Sequence, residues 1–339
     1  MDKEKLLNAL GVVRPGLSSR EIVEQSTHFA FLKGRVATYN DEISISHPLP
    51  DFGLEGAIRA EELYQLLAKL PNKELSIERQ GNELMLVSGR TKAGFTLQEK
   101  IEMPLHEVGE DRDWKPFPKE VIDDWRFTMF SASKDMSKPV LTCVHVRDDG
   151  YLESSDDIRI TRKKSRKLGL DTFLIPAASI SDLSTYDMSE ISSGHGWIHF
   201  RNKEGTEFSS RILSKGFPDV SQYLELEGSE ITFPRTLDSV LDRAMIFSKA
   251  RHELDYEVEV TLHSGRMTLR SEGEDTWFEE EVNNRYKGDP VTFLVNPHLL
   301  KEITANVKRV VLGPSTMKFE GKDWEHLVML AADMGSGEK

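Results

Sequence analysis

The sequence predicts an α+β fold made of one unit repeated three times, each unit carrying two helices packed on β-sheets. Three observations predict it: a recurring strand-helix segment, a hairpin that follows it each time, and a second helix that opens each unit. Self-similarity at a fixed long period is the signature of repeated architecture.

The strand-helix segments read GAIRAEELYQLLAKLPNK (56–73), TFLIPAASISDLSTYDMS (172–189) and VTFLVNPHLLKEITANVK (291–308). With Ala60, Pro176 and Pro297 aligned as helix starts, the copies lie 116 and 121 residues apart. Each begins with β-branched and apolar residues and continues with apolar residues at helical spacing. The hairpins follow. LSIERQGNELMLVSG (75–89) alternates around Gly81-Asn82, GWIHFRNKEGTEFSSRIL (196–213) around Lys203-Glu204-Gly205, and VVLGPSTMKFEGKDWEHLVML (310–330) around Glu320-Gly321. Alternation broken by a Gly-containing turn predicts paired antiparallel strands.

The opening helices are predicted over Asp2 to Leu10, Pro118 to Phe130 and Pro234 to Phe247. Their apolar faces are Leu6, Leu7, Leu10; Val121, Ile122, Trp125, Met129; and Leu237, Val240, Leu241, Ala244. Pro118 and Pro234, again 116 apart, suit helix starts, and both helices end on a shared R-x-x-[M/I]-F-S pattern. Domains are therefore expected at 1–112, 113–227 and 228–334, each with about eight strands. The boundaries fall in charged His106–Lys115 and around Glu225–Glu230, and the tail 335–339 is expected to be loose.

Composition narrows the function. The 339 residues suit two or three domains, and 38% hydrophobic with 30% charged residues is ordinary for a soluble chain. There is no run of about 18 apolar residues to span a bilayer, and MDKEKLLNALGVV is too short and charged for a signal peptide. A single cysteine, Cys143, excludes an internal disulfide and a cysteine zinc cluster, fits a reducing cytoplasm, and reads as a buried small hydrophobe. No Walker loop, GxGxxG, GxSxG, CxxC or HExxH occurs. His195 and His199 flank Trp197 in strand-like sequence, and Glu279-Glu280-Glu281 with Glu272 and Glu274 reads as a solvated rim; the enzymatic rival is a metal-dependent nuclease using those acids. The run Arg162–Lys167 is the densest cationic stretch and is expected to be a loop.

The segments SGR with FTL (88–97), SASKDMSKPVL (131–141), SRILSKGFPDV (210–220), LDRAMIFSKA (241–250), NPHLLKEI (296–303) and HLVML (326–330) resemble the bacterial DNA polymerase sliding clamp, the beta subunit of the replicative polymerase, over about residues 5–332. The resemblance implies a DNA clamp fold and a head-to-tail homodimer that closes a six-domain ring. Its twelve helices would line a pore around double-stranded DNA, held without sequence preference. Such a clamp is a non-catalytic processivity factor in DNA replication with no cofactor, no metal and no membrane contact. It binds DNA polymerase and the clamp loader through a short hydrophobic peptide motif. A clamp-derived interaction module that does not encircle DNA is the second reading, and departures from common clamp motifs point to a divergent copy of bacterial or phage origin.

The net charge of −13 first argues against nucleic acid. Partitioned, the six helical segments with their flanks, 98 residues, carry +3 and the other 241 carry −16. A weakly positive lining suits loose, salt-dependent contact with phosphate. The implied DNA-facing residues are Lys3, Lys5, Arg14, Arg20, Lys69, Lys73, Lys134, Lys138, Arg243, Lys249, Arg251, Lys301, Lys308 and Arg309. Ala177-Ala178 stands where clamps usually carry basic residues. The implied peptide groove comprises Leu141, Ser155, Arg159, Ile160, Leu327, Val328 and Met329. Asp157 and Ile158 replace a Gly-His pair, Glu225 replaces a common proline, and Leu330-Ala331-Ala332 replaces a proline-methionine-arginine end. The implied ring interface pairs Phe95 and Leu97 with Ile246 and Phe247.

Overall fold

The computed structural model describes residues 1–71, 74–109, 112–213, 216–248 and 256–330. Its helices are α1 (Lys3–Val13), α2 (Ala60–Lys69), α3 (Lys119–Met129), α4 (Ala177–Leu183), α5 (Ser221–Leu224), α6 (Leu237–Ala244) and α7 (Pro297–Thr304). Local chemistry sets their starts. The Asp2 carboxylate accepts from the Glu4 and Lys5 amides at 2.7 and 3.3 Å and caps α1. Asn296 does the same for α7, accepting from His298 N and Leu299 N, with Pro297 in the first helical position. Each long helix buries one stripe: Leu6, Ala9, Leu10 and Val13 in α1; Val121, Trp125 and Thr128 in α3; Leu237, Val240, Leu241 and Ala244 in α6. α6 begins three residues after Pro234, which accepts the Leu237 amide through its carbonyl, and stops at Ala244, before the expected Phe247.

The chain divides into two compact units. The first comprises Met1–Met129, Cys143–Gly150 and Arg166–Lys215. Its main sheet has eight antiparallel strands in the order Gly56–Arg59, His28–Leu32, Arg35–Tyr39, Ile43–Pro48, Glu207–Arg211, Trp197–Arg201, Glu190–Gly194 and Lys115–Pro116. The middle of this sheet, where Ile45 opposes Phe208, joins the first repeat to the second. Ser76–Gln80, Glu83–Ser88 and Thr91–Thr96 form a second sheet, and Phe173–Pro176 pairs with Cys143–Val146. Helices α1 and α2 pack together, as do α3 and α4. Trp125 is fully buried and meets Phe117, Phe200 and Phe173 edge-on at 5.6–6.1 Å.

The second unit comprises Phe130–Thr142, Tyr151–Ser165 and the described residues from Gly216 onward. Here the strands Tyr151–Ser155, Arg159–Lys164, Trp324–Met329, Thr316–Glu320, Arg309–Leu312 and Ser229–Thr232 pair successively, all antiparallel. A four-stranded sheet runs Trp277–Asn283, Arg266–Glu272, Val258–His263, Val291–Val295. α6 packs on α7, and the core between helices and sheets is built from Phe233, Leu241, Val260, Leu269, Leu300 and Phe319 among others.

The three hairpins form as the alternation predicts, with Gly81 and Gly205 at φ +62° and +79° in two of the turns. Cys143 is fully buried at a strand start. Three helix pairs recur in chain order, so the repeat is visible in the elements. The compact units cut the chain differently from the expected domains 1–112, 113–227 and 228–334, which remain a proposal.

The basic run is corrected. Arg162, Lys163 and Lys164 lie in the strand Arg159–Lys164 and not in a loop. Arg162 opposes Glu153 across the ladder and donates to its buried carboxylate at 2.8 Å. Lys163 pairs with Asp323 at 3.1 Å, and Lys164 lies 3.9 Å from the Tyr151 ring centroid. Ladder partners supplied by distant sequence absorb the charge. Only the following residues, from Ser165, lie outside the strand.

Candidate nucleic-acid interface and peptide groove

The candidate phosphate-binding cations sort by what already neutralises them. Lys3 is withdrawn from the set: it is buried, and its ammonium donates to the Leu70 carbonyl at 2.7 Å, tying α1 to the end of α2. Lys5 is exposed and 3.8 Å from exposed Asp51. Arg14 lies over the Tyr64 ring at 4.7 Å, which leaves its charge uncompensated. Arg20, Lys69 and Lys134 are exposed. Lys138 donates to Asp157, which holds its ammonium above the usual lysine range. Arg243 grips Glu280 through two bonds of 2.8 and 2.7 Å, and Lys308 reaches both oxygens of Asp238 at 2.9 Å. Lys301 pairs with Asp242 and Arg309 with Glu230. Lys73, Lys249 and Arg251 lie outside the described residues.

Sequence reasoning missed Arg59. It is 71% exposed in its side chain, stands just before α2, and lines the same cleft of 720 Å³ as Arg20, His28, Glu62, Phe95 and Gln98. In α4 the first turn is Ala177-Ala178, and that helix contains no cation. Nearby Tyr186 is half-buried, donates to the Val12 carbonyl at 2.6 Å, and has its acidity suppressed by burial and by Asp182.

The groove residues fall on two faces of one ladder. Ile160 opposes Leu327, and both belong to an apolar cluster with Val220, Leu224 and the partly buried Phe217. Ser155, opposite Ile160 on the other side, donates its hydroxyl to the Arg159 carbonyl at 3.0 Å. Met329 shares the Leu327 face and is 47% exposed. Leu141 is mostly buried, with its backbone tied to Ser133 and Lys138. Val328 is corrected: strand alternation turns it the other way, fully buried in the helix-sheet core. Phe217, Val220 and Leu224 were missed, although FPDVSQYL places them at i, i+3 and i+7 around the short helix α5.

Arg159 shares the Val328 face and has three partners. Its guanidinium donates to Asp156 at 2.8 Å and to Glu302 at 2.7 Å and lies 5.3 Å from the Phe130 ring. It lines a cleft of 670 Å³ with Lys134, Asp157, Ile158, Asn296, Leu299 and Glu302. The turn before it is organised by Asp156, which accepts from the Ile158 and Arg159 amides. Asp157 sits at φ +72°, a left-handed position that favours glycine. Beneath lies His326, fully buried and stacked on Phe130 at 4.8 Å, with Nδ1 2.9 Å from Thr161 Oγ1, itself 2.6 Å from Ser131 Oγ. Burial, helped by the Arg159 charge, pushes its pKa down to about 3. His199 in the first unit is likewise buried beside Ser209 and pushed down to about 3, by burial and then by Arg112.

The interface residues lie at two sheet edges. Phe95 is half-buried on the edge strand Thr91–Thr96, which among the described residues pairs with Glu83–Ser88 on one side alone. Leu97 is corrected: it lies past the strand end, 2% exposed, its amide bound to the Asn82 carbonyl at 2.8 Å, so it can only back an interface. Ile246 is 63% exposed, and Phe247 stacks on Phe278 at 5.5 Å. Phe278 belongs to the other edge strand, Trp277–Asn283, whose Trp277 is 67% exposed and was missed. Arg90 and Lys92 are exposed at the first edge, Glu279 and Glu281 at the second.

No helix among the described residues is long and apolar enough to cross a membrane. No protein-family model matches the chain. It is 25% identical over 335 residues to the beta sliding clamp of Streptococcus pneumoniae (strain ATCC BAA-255 / R6), covering 88% of this chain and 87% of that protein. Its fold superposes on the DNA polymerase III subunit beta of Pseudomonas aeruginosa with a TM-score of 0.83 at 18% identity, covering 98% of each chain. A Bartonella birtlesii sliding clamp bound to griselimycin matches with the same TM-score, identity and coverage.

Proposed function

We infer that this chain, a divergent beta sliding clamp, is a non-catalytic processivity factor that encircles duplex DNA and tethers the replicative DNA polymerase. The observation that carries the reading is the agreement of the fold with a DNA polymerase III beta subunit, at a TM-score of 0.83 over 98% of the chain. A tether that must slide needs no base readout and no reacting group. It needs a closed path, weak contact with phosphate, and a dock for its client.

The path would close by homodimerisation. Two unpaired sheet edges in one chain are an aggregation hazard unless something covers them, and a head-to-tail pair of copies covers both. The edges suit one another: Lys92 and Arg90 meet Glu279 and Glu281 in sign, and exposed Ile246 and Trp277 supply apolar area opposite Phe95. The client dock would be the apolar cluster of Ile160, Leu327, Val220 and Leu224, with exposed Met329 on the same strand face as Leu327, which would accept a hydrophobic peptide from the polymerase or the clamp loader. The domain boundaries 1–112, 113–227 and 228–334 belong to the same reading.

Light scattering combined with negative-stain imaging tests it. The expected result is a species of twice the 38.5 kDa chain mass that appears as a ring with a central hole. A monomer at micromolar concentration with no ring would count against the encircling function.

A further inference from the structure

We propose that duplex DNA and the client peptide weaken each other's binding through the Lys138–Asp157 ion pair, because a phosphate competes with Asp157 for the lysine. This rests on the clamp reading and adds to it a link between the two ligands.

Lys138 stands on a loop whose backbone is fixed. Its amide donates to the Asp135 carbonyl at 3.1 Å, and its carbonyl accepts the Leu141 amide at 2.9 Å. The side chain is therefore the part that moves. It and Asp157 are both 53% exposed. Exposed Lys134 lies on the same loop, has no carboxylate within ion-pair distance among the described residues, and lines one cleft with Lys138 and Asp157. A phosphate drawn to Lys134 meets the Lys138 ammonium next. An exposed ion pair is worth little in water, whereas a phosphate neutralised by a lysine also releases counterions. The exchange therefore favours the phosphate.

Asp157 is the tip of the turn between the strands Tyr151–Ser155 and Arg159–Lys164. The base of that turn is held without Lys138: the Asp156 carboxylate accepts from the Ile158 and Arg159 amides at 3.2 and 2.9 Å and from the Arg159 guanidinium at 2.8 Å. The tip is held less firmly. Its amide makes a long 3.4 Å bond to Ser155 Oγ, its backbone sits at φ +72°, and its carboxylate depends on Lys138. The next residue meets the proposed dock, since the Ile158 carbonyl accepts the Met329 amide at 2.7 Å. A tip pinned by Lys138 keeps Ile158 and Met329 in place before a peptide arrives. A released tip must be ordered on binding, which lowers affinity. By linkage the peptide weakens the duplex by the same factor.

Anisotropy of a labelled short hydrophobic peptide without basic residues, titrated with the full chain in the presence and absence of a saturating short DNA duplex, reads this link. The wild type is expected to bind the peptide about threefold more weakly with the duplex, a size set by one exposed ion pair, and to bind the duplex about threefold more weakly with saturating peptide. Asp157→Gly, which keeps the left-handed turn without the pair, and Lys138→Gln should each bind the peptide equally with and without the duplex. Both side chains are exposed, so folding is not at stake. Peptide affinity that is equal or higher with the duplex in the wild type, or a weakening that persists in Asp157→Gly, would overturn the link while leaving the clamp reading intact. A wild type that fails to bind the peptide or the duplex would remove both.

Discussion

Ile160 stands directly opposite Leu327 on neighbouring antiparallel strands, and the pair forms the floor of an apolar cluster closed by Val220 and Leu224. The strands come from distant parts of the chain, so the proposed dock would form only in the folded unit. Met329, at the rim and 47% exposed, can be changed without opening the core. Met329→Asp is expected to weaken binding of a short hydrophobic peptide from the polymerase at least tenfold, about 1.4 kcal/mol, in isothermal titration. Unchanged affinity would place the dock elsewhere.

Ile246 and Trp277 are the large apolar side chains exposed near one sheet edge. The Ile246→Asp/Trp277→Asp variant is expected to sediment as a monomer, with its melting temperature little altered, because neither residue is part of the buried core. A dimer persisting at low micromolar concentration would remove this edge from the interface.

Asp157 occupies a left-handed backbone position where glycine has no steric penalty. Its short polar side chain tolerates that conformation, and the ion pair with Lys138 offsets part of the cost. Asp157→Val, β-branched and unable to pair, should lose about 1–2 kcal/mol in urea unfolding, whereas Asp157→Gly should stay near the wild type. Equal loss in both variants would show that the ion pair matters more than the backbone.

His326 has a folded-state pKa pushed down to about 3, below the ordinary value of about 6.5. The unfolded chain therefore takes up a proton that the folded chain refuses. The contribution is intact above about pH 6.5 and is lost as pH falls toward 3, by up to about 1.4 kcal/mol per pH unit. Urea midpoints measured from about pH 6.5 down to 4 should fall more steeply for the wild type than for His326→Gln. Parallel curves would contradict the buried neutral histidine.

Much of this molecule could be read from its sequence, for identifiable reasons. The hairpin at Gly81-Asn82 and the helix opened by Asn296-Pro297 depend on neighbours in the chain, and both formed as predicted. What depended on distant partners was hidden. Arg162 and Lys163 looked like a loop until Glu153 and Asp323 met them across a ladder and beyond a turn. Lys3 looked solvent-facing until Leu70 offered a carbonyl, and Val328 looked like a groove residue until its strand's register turned it inward. The net charge of −13 hid most of all, because a sum does not say which cations are already paired.

The central claim is topological: the protein stays on DNA by surrounding it. After loading onto a nicked circular duplex by a clamp loader, it should remain with the DNA through gel filtration in about 1 M salt, where screening confines attraction to about 3 Å. It should leave as soon as the circle is cut. Equal retention on circular and linear DNA, or release of both by salt, would contradict encirclement.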